Sequence, residues 1–303
     1  MARKGSAVHG RGSMKHLLFR AAIVLAWVSS LLLVLVIGYL IFFLLLRGLP
    51  TLGTDLFFGD TPAWAALSGQ MPVWEGIWPA CVGTLALIFM SAGISIPLGI
   101  SGGIYLAEYG RGKSKHLLTF FIDVLAGTPS ILMGLLGFAA ILFIRNVFGI
   151  QARTNLLLAS LCLAFLVLPY IIKGTQMALE GVPDALRMTG FGLGMTRAQT
   201  IIHLLLPGAA KGIFSGIILA LGRAAEDTAV ILLTGVVANG GIPRGLSDKF
   251  EALPFHIYYL SAEYQNPQEL SQAFGTALVL LCMTSLLFIS AHFIHNQLEK
   301  RWK

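Results

Sequence analysis

Three ionisable residues fall inside one apolar block: Arg223, Glu226 and Asp227, with Thr228 after them. On a helix the two acids stand three and four positions beyond Arg223, so either reaches it along one face. An ionised group at the centre of a bilayer costs roughly 2.5–3.5 kcal/mol on insertion scales, so three together do not face lipid. Two readings stand. One is an internal salt-bridge cluster that stabilises its helix; the other is a charged lining of a path. One arginine and two acids sum to a net negative charge, which repels an anion unless burial protonates an acid or a neighbouring subunit adds positive charge.

A second chemistry is suggested by Ala107-Glu108-Tyr109-Gly110-Arg111-Gly112-Lys113-Ser114, a loose nucleotide P-loop with alanine at its first glycine. That motif works between a strand and a helix of an α/β domain. Here it lies in a short loop between two apolar blocks, and Arg111, Lys113 and Lys115 read better as orientation charges. ATP hydrolysis is therefore expected of another chain, and no catalytic residue is assigned. Cys81, Cys162 and Cys282 sit inside apolar blocks without metal-ligand spacing, so neither a metal site nor a disulfide is expected.

The elements that must position these groups are membrane spans. The chain has 303 residues, 56% hydrophobic and only 12% charged. That is about half the charge of a soluble domain, too little to cover a water-facing surface. Apolar blocks at Ala21–Leu46, Ile77–Leu106, Leu117–Ile144, Asn155–Ile172, Gly212–Ala238 and Ala273–Ile294 each come near or above the ~20 residues that cross a bilayer. The expected fold is an all-α membrane protein with about six transmembrane helices. Gly93, Pro97, Gly127, Pro129 and Pro169 lie inside blocks, where neighbouring helices or a lined cavity must satisfy the freed backbone groups.

Fifteen of the 21 lysines and arginines fall before the first block, between the second and third, between the fourth and fifth, and after the sixth. The alternate segments hold five, and only Arg223 lies in a block. This bias places both termini in the cytoplasm, and an even number of spans agrees. The net charge of +7 thus reports orientation, and because the basic residues are dispersed, nucleic acid is excluded as a partner; membrane lipid is the partner expected. The organisation expected is a basic cytoplasmic tail (1–20), a first span (21–46), an extracytoplasmic loop (47–76), a five-helix core (77–295) and a cytoplasmic tail (296–303). The outer segments carry Trp64, Trp74, Phe250, Phe255, Tyr258 and Tyr259, read as interfacial anchors or as a dock for an extracytoplasmic partner.

The segment 180–207 reads as two short cytoplasmic helices. Pro183 suits a first turn, with Asp184 near its positive end. Gly190, Gly192 and Gly194 break the first helix. Thr196-Arg197-Ala198-Gln199 is a capping-box pattern opening a second, amphipathic helix that is expected to stop at Pro207.

Gly194, nine further residues, then Leu204-Leu205-Leu206-Pro207 keep the spacing of the cytoplasmic motif in permease subunits of ATP-binding-cassette importers. The motif's E-A-A positions are Met188, Thr189 and Gly190 here. The stretches Gly76–Gly110, Leu125–Gly137, Leu168–Pro183 and Lys211–Gly235 resemble the PstA family of phosphate-transport permeases, and the likeness spans about Trp74 to Leu287. It implies a MetI-like permease core with an extra N-terminal helix, in a bacterial-type inner (plasma) membrane. It implies that Asp184, Arg187, Gly194, Thr196, Leu206 and Pro207 belong to the element coupling to an ATPase. It places Arg223, Glu226, Asp227 and Thr228 on the translocation path, at the family's R-A-x-G-E-T-A segment. The reading adopted there is a gate in which Arg223 exchanges acid partners. The implied partners are a second homologous permease, two copies of an ATP-binding subunit that hold ATP and Mg, and an extracytoplasmic phosphate-binding protein. The implied function is translocation of inorganic phosphate. A permease for another oxyanion or small solute is the alternative, and a secondary transporter or channel is the alternative of a different class.

Overall fold

A computed structural model describes residues 7–68, 71–149 and 153–302. Arg3, Lys4 and Lys303, counted above among the orientation charges, lie outside them. Among the described residues the chain is helical, with no strand and one isolated bridge between Val236 and Phe250. Among the described residues, six stretches are long and apolar enough to cross a membrane: Phe19–Thr51, Trp78–Tyr109, Ser130–Phe148, Leu156–Glu180, Arg197–Glu226 and Pro267–Phe293.

The terminal helices are longer than expected. Helix α1 (Ala7–Gly48) begins well before position 21. No proline divides its early part from the apolar run, and Lys15, Leu17, Leu18 and Arg20 are good helix formers. Two short helices follow, α2 (Thr54–Phe58) and α3 (Ala63–Leu67). The bundle is then built by α4 (Trp78–Ile104), α5 (Gly112–Ala126), α6 (Ser130–Phe148) and α7 (Leu156–Glu180). The helices α8 (Asp184–Gly192) and α9 (Arg197–Thr200) lead into α10 (Leu206–Glu226), α11 (Ala229–Thr234), α12 (Leu253–Glu263) and α13 (Pro267–Trp302).

Two expected spans are redrawn. The block Leu117–Ile144 is not one helix: Gly127-Thr128-Pro129 separates α5 from α6. Pro129 supplies no N–H and pushes the residue before it away from helical backbone, so the break follows from the sequence. The block Gly212–Ala238 is displaced toward the N-terminus, because the helix runs from Arg197 to Glu226 and ends before Asp227. Consequently Lys173 and Lys211, counted as loop charges, lie within α7 and α10. The orientation bias keeps its sign without them.

The centre is held by glycine-mediated helix contacts. A Cβ at Gly99 would meet Ile171, and one at Gly103 would meet Thr175, so α4 lies with its backbone against α7. On the adjacent face of α7, a Cβ at Gly174 would stand 3.1 Å from the Gly216 Cα, and one at Gly212 2.5 Å from the Ala178 Cβ. Small residues four apart on both members of a pair let backbones approach, which drives helix association where lipid removes the hydrophobic incentive. Around these contacts Leu163, Leu166, Ile171, Ala220 and Ile231 form one buried apolar cluster. Helix α1 packs chiefly on α13, through Phe43 edge-on to Phe274 at 5.7 Å, and over residues 19–46 it leaves its other sides exposed.

At the end of the bundle away from α8 and α9, the segment after α11 folds back into the core. Phe250 is fully buried, so it is a core residue and not an interfacial anchor. The Val237 N–H donates to the Phe250 carbonyl at 3.0 Å, and the Leu253 N–H donates to Thr84 Oγ1 at 2.8 Å. Trp64, Trp74 and Tyr258 remain exposed, as an anchoring or docking role requires.

Candidate functional site

The segment joining α7 to α10 is a rigid helical elbow. Asp184 opens α8 and stays exposed, its Oδ1 accepting from Arg187 Nη1 at 3.0 Å. The helix ends as the Gly194 N–H donates to the Phe191 carbonyl and the Met195 N–H donates to the Gly190 carbonyl, both at 3.0 Å. Gly194 has φ +74° with open space around its Cα. The glycine is needed there for conformation, not for room. At Gly190 the reason is the reverse: an added Cβ would stand 2.7 Å from both Thr200 Cγ2 and Thr200 Oγ1. Thr196 then caps α9 with the full capping box. Its Oγ1 accepts from the Gln199 N–H at 3.3 Å, and Gln199 Oε1 accepts from the Thr196 N–H at 2.8 Å.

Pro207 does not end the second helix. The chain passes from α9 through a π-helical turn (Ile201–Leu205) straight into α10, with Leu206 and Pro207 half-buried in its first turn. In the π turn the Leu206 N–H bonds back five residues to the Ile201 carbonyl. The widened turn immediately before Pro207 accommodates a ring that would clash with the carbonyl four residues back in a regular helix. The elbow is thus the beginning of a bundle helix, which joins α9 mechanically to α10.

The residue that the sequence reading missed is Glu108. It lies in a second π-helical turn (Tyr105–Tyr109) that ends α4, and its side chain is 8% exposed. Arg187 donates to Glu108 Oε1 from Nη2 at 3.0 Å and from Nε at 3.3 Å. The same guanidinium donates to the Leu179 carbonyl at 2.7 Å and the Val182 carbonyl at 2.8 Å. Arg197 Nη2 stands 3.9 Å from Glu108 Oε2, while its guanidinium lies 4.8 Å from the Tyr109 ring centroid. A cavity of about 200 Å³ opens beside this cluster, between Glu108, Arg111, Phe191 and Thr200. The stretch that mimics a P-loop therefore supplies a buried carboxylate, and it follows a helix instead of a strand. An acid beside an apolar run is visible in the sequence, but its arginine partners lie far along the chain on α8 and α9.

In the middle of the bundle the structure separates the charges that helical spacing had grouped. Among the described residues no ion pair joins Arg223 to Glu226 or Asp227. The internal salt-bridge cluster is therefore not formed here. Arg223 is exposed on α10 and its guanidinium stacks on the Tyr170 ring of α7, 4.8 Å from the centroid. Glu226 is exposed at the last residue of α10. Asp227 leaves the helix at ψ 114°, and its Oδ1 accepts from the Val230 N–H at 2.9 Å. That bond satisfies a first-turn N–H of α11 from the residue before its N-cap, Thr228, whose own side chain makes no cap bond. Thr228 follows at the start of α11, half-buried, its carbonyl accepting from the Leu232 N–H at 3.1 Å. Nearer the elbow, Lys173 on α7 pairs with Asp123 on α5 at 2.6 Å, which ties the broken third span to the centre.

The opposite end carries a cup of about 620 Å³ edged by Asp55, Asp60, Glu75, Glu251, Glu263 and Glu269. Glu251 is buried and pairs with His256 Nδ1 at 2.7 Å.

Comparison with known proteins gives four findings. The family profile "Binding-protein-dependent transport system inner membrane component" matches residues 99–303. The chain is 32% identical over 228 residues to the phosphate transport system permease protein PstA 1 of Mycobacterium tuberculosis, covering 75% of this chain and 72% of that protein. It is 28% identical over 276 residues to PstA of Haemophilus influenzae, covering 90% and 93%. Among solved structures, an inward-facing MetNI methionine ABC transporter aligns with TM-score 0.54 at 16% identity, over 78% of this chain and 99% of that chain. That likeness shows the MetI-like fold.

Proposed function

The chain belongs to the binding-protein-dependent transport system inner membrane component family, and from that premise we propose that it is the membrane-spanning permease subunit of an ATP-driven phosphate importer. It is a multi-pass protein of the inner membrane. The observation that carries the substrate is its 32% identity to a phosphate permease over three quarters of its length.

On this reading α8 and α9 form the coupling element and lie in the cytoplasm, as do both termini. ATP and Mg belong to two copies of a partner ATPase, and a second homologous permease completes the pathway. Phosphate arrives on an extracytoplasmic binding protein. The acidic cup favours such delivery, because its carboxylates repel a free phosphate anion that a carrier protein would shield. Arg223 is the positive group on the path, held by Tyr170 in this state.

The test is reconstitution of the chain in proteoliposomes with its ATPase, partner permease and binding protein, followed by ATP-dependent uptake of labelled phosphate. Unlabelled phosphate is expected to compete and sulfate is not. Competition by sulfate at equal concentration would replace phosphate by a wider oxyanion specificity.

A further inference from the structure

One buried carboxylate ties together the elements that a coupling motion must move. Glu108 projects from the π turn closing α4 and receives Arg187 from α8, while Arg187 also grips the Leu179 and Val182 carbonyls at and beyond the end of α7. Arg197, the first residue of α9, waits 3.9 Å from the other carboxylate oxygen. Two arginines on two separate helices therefore face one acid, one bonded closely and one loosely. The adjoining cavity of about 200 Å³ leaves the side chains room to exchange. Both π turns found among the described residues border this cavity, and such turns are frequent at functional sites.

We propose that Glu108 is the joint through which movement of the α8–α9 elbow reaches the α4–α7 pair, the carboxylate passing between Arg187 and Arg197 as the elbow shifts. Packed side chains and ion-pair networks that have two discrete arrangements carry energetic coupling between distant sites. Such a path is present: Glu108 fixes the end of α4, and Gly99 and Gly103 lock α4 onto Ile171 and Thr175 of α7. Thr175 Oγ1 is buried at that contact without a hydrogen-bond partner, so a second register of α4 on α7 has a group to satisfy. Glu108 is a positioning residue, since it acts through the elbow and touches neither nucleotide nor substrate.

The inference rests on the importer reading, and the experiment separates the two. Wild-type and Glu108→Gln chains are reconstituted with the partner subunits, and phosphate uptake and ATP hydrolysis are measured on the same proteoliposomes. Wild-type failure to take up phosphate would contradict the importer reading alone. Given wild-type uptake, Glu108→Gln is expected to keep ATP hydrolysis within about twofold while phosphate moved per ATP falls at least about tenfold. An unchanged ratio, or a parallel loss of uptake and hydrolysis, overturns the joint. Glu108→Asp keeps the charge and shortens the reach by one methylene, and it carries the test if the glutamine variant does not assemble. Its ratio is expected to fall at least about threefold, and a wild-type ratio overturns the proposal.

Discussion

The Arg223 guanidinium lies 4.8 Å from the centroid of the Tyr170 ring, so the arginine of α10 is seated on α7 by an aromatic face and not by an acid. Such a contact contributes roughly 0.5–2 kcal/mol, enough to hold a side chain and little enough to release it. Arg223→Gln is expected to abolish phosphate uptake while the complex still assembles. Tyr170→Phe keeps the ring and is expected to transport; Tyr170→Leu frees the arginine and is expected to lower uptake. Full uptake by the assembled Arg223→Gln complex would remove Arg223 from the path.

Asp227 holds the start of α11 by accepting the Val230 N–H at 2.9 Å. Replacing an acid that accepts a first-turn N–H by alanine costs about 0.5–2 kcal/mol, whereas asparagine keeps the acceptor. Amide exchange at Val230 is therefore expected to accelerate in Asp227→Ala and to stay slow in Asp227→Asn. An exchange of charges, Arg223→Asp with Asp227→Arg, destroys this bond and is expected not to restore transport.

The two glycines of the elbow differ in what they resist. Gly194 is at φ +74° in open space, so Gly194→Ala is expected to cost about 1–2 kcal/mol through backbone strain alone. No change in a neighbour would relieve it. At Gly190 the obstacle is Thr200, so Gly190→Ala is expected to lower the unfolding temperature and Thr200→Ala is expected to restore part of the loss. Unfolding curves of the two single variants and the double variant decide it; an additive double variant would contradict the packing account.

Orientation is open to labelling. Cysteines introduced at the exposed positions Asp60 and Ser247 are expected to react with an impermeant reagent in intact cells, and one at Lys113 only after permeabilisation. The background needs Cys282→Ser, since Cys282 is the exposed native thiol, while Cys81 and Cys162 are buried. Labelling at 113 but not at 60 would invert the topology.

The elements whose signals are local were legible in the sequence. The capping box at Thr196 and Gln199 and the turn at Gly194 form as their residue types require. Pro129 breaks the third apolar block, where a breaker was visible but a single span was drawn. Pro207 misled because proline was read as a stop, whereas a π turn just before it lets the helix continue, and π turns leave no composition signal. Helical spacing predicted that Arg223 meets Glu226 or Asp227, but Asp227 leaves the helix, and Arg223 turns to the Tyr170 ring of α7 instead of to Glu226 on its own helix. Glu108 and Arg187 are 79 positions apart, so their bond is set by how α4 and α8 pack and no local pattern announces it.

The central claim is that ATP hydrolysis, and not an ion gradient, drives phosphate through this chain. The direct measurement is labelled phosphate uptake into proteoliposomes holding the assembled complex and supplied with loaded binding protein. ATP is either sealed inside or omitted, with and without ionophores that collapse proton and sodium gradients. Uptake is expected to need ATP and binding protein and to be indifferent to ionophores. Uptake that proceeds without ATP and collapses with the gradients would contradict it, and would make the protein a secondary transporter.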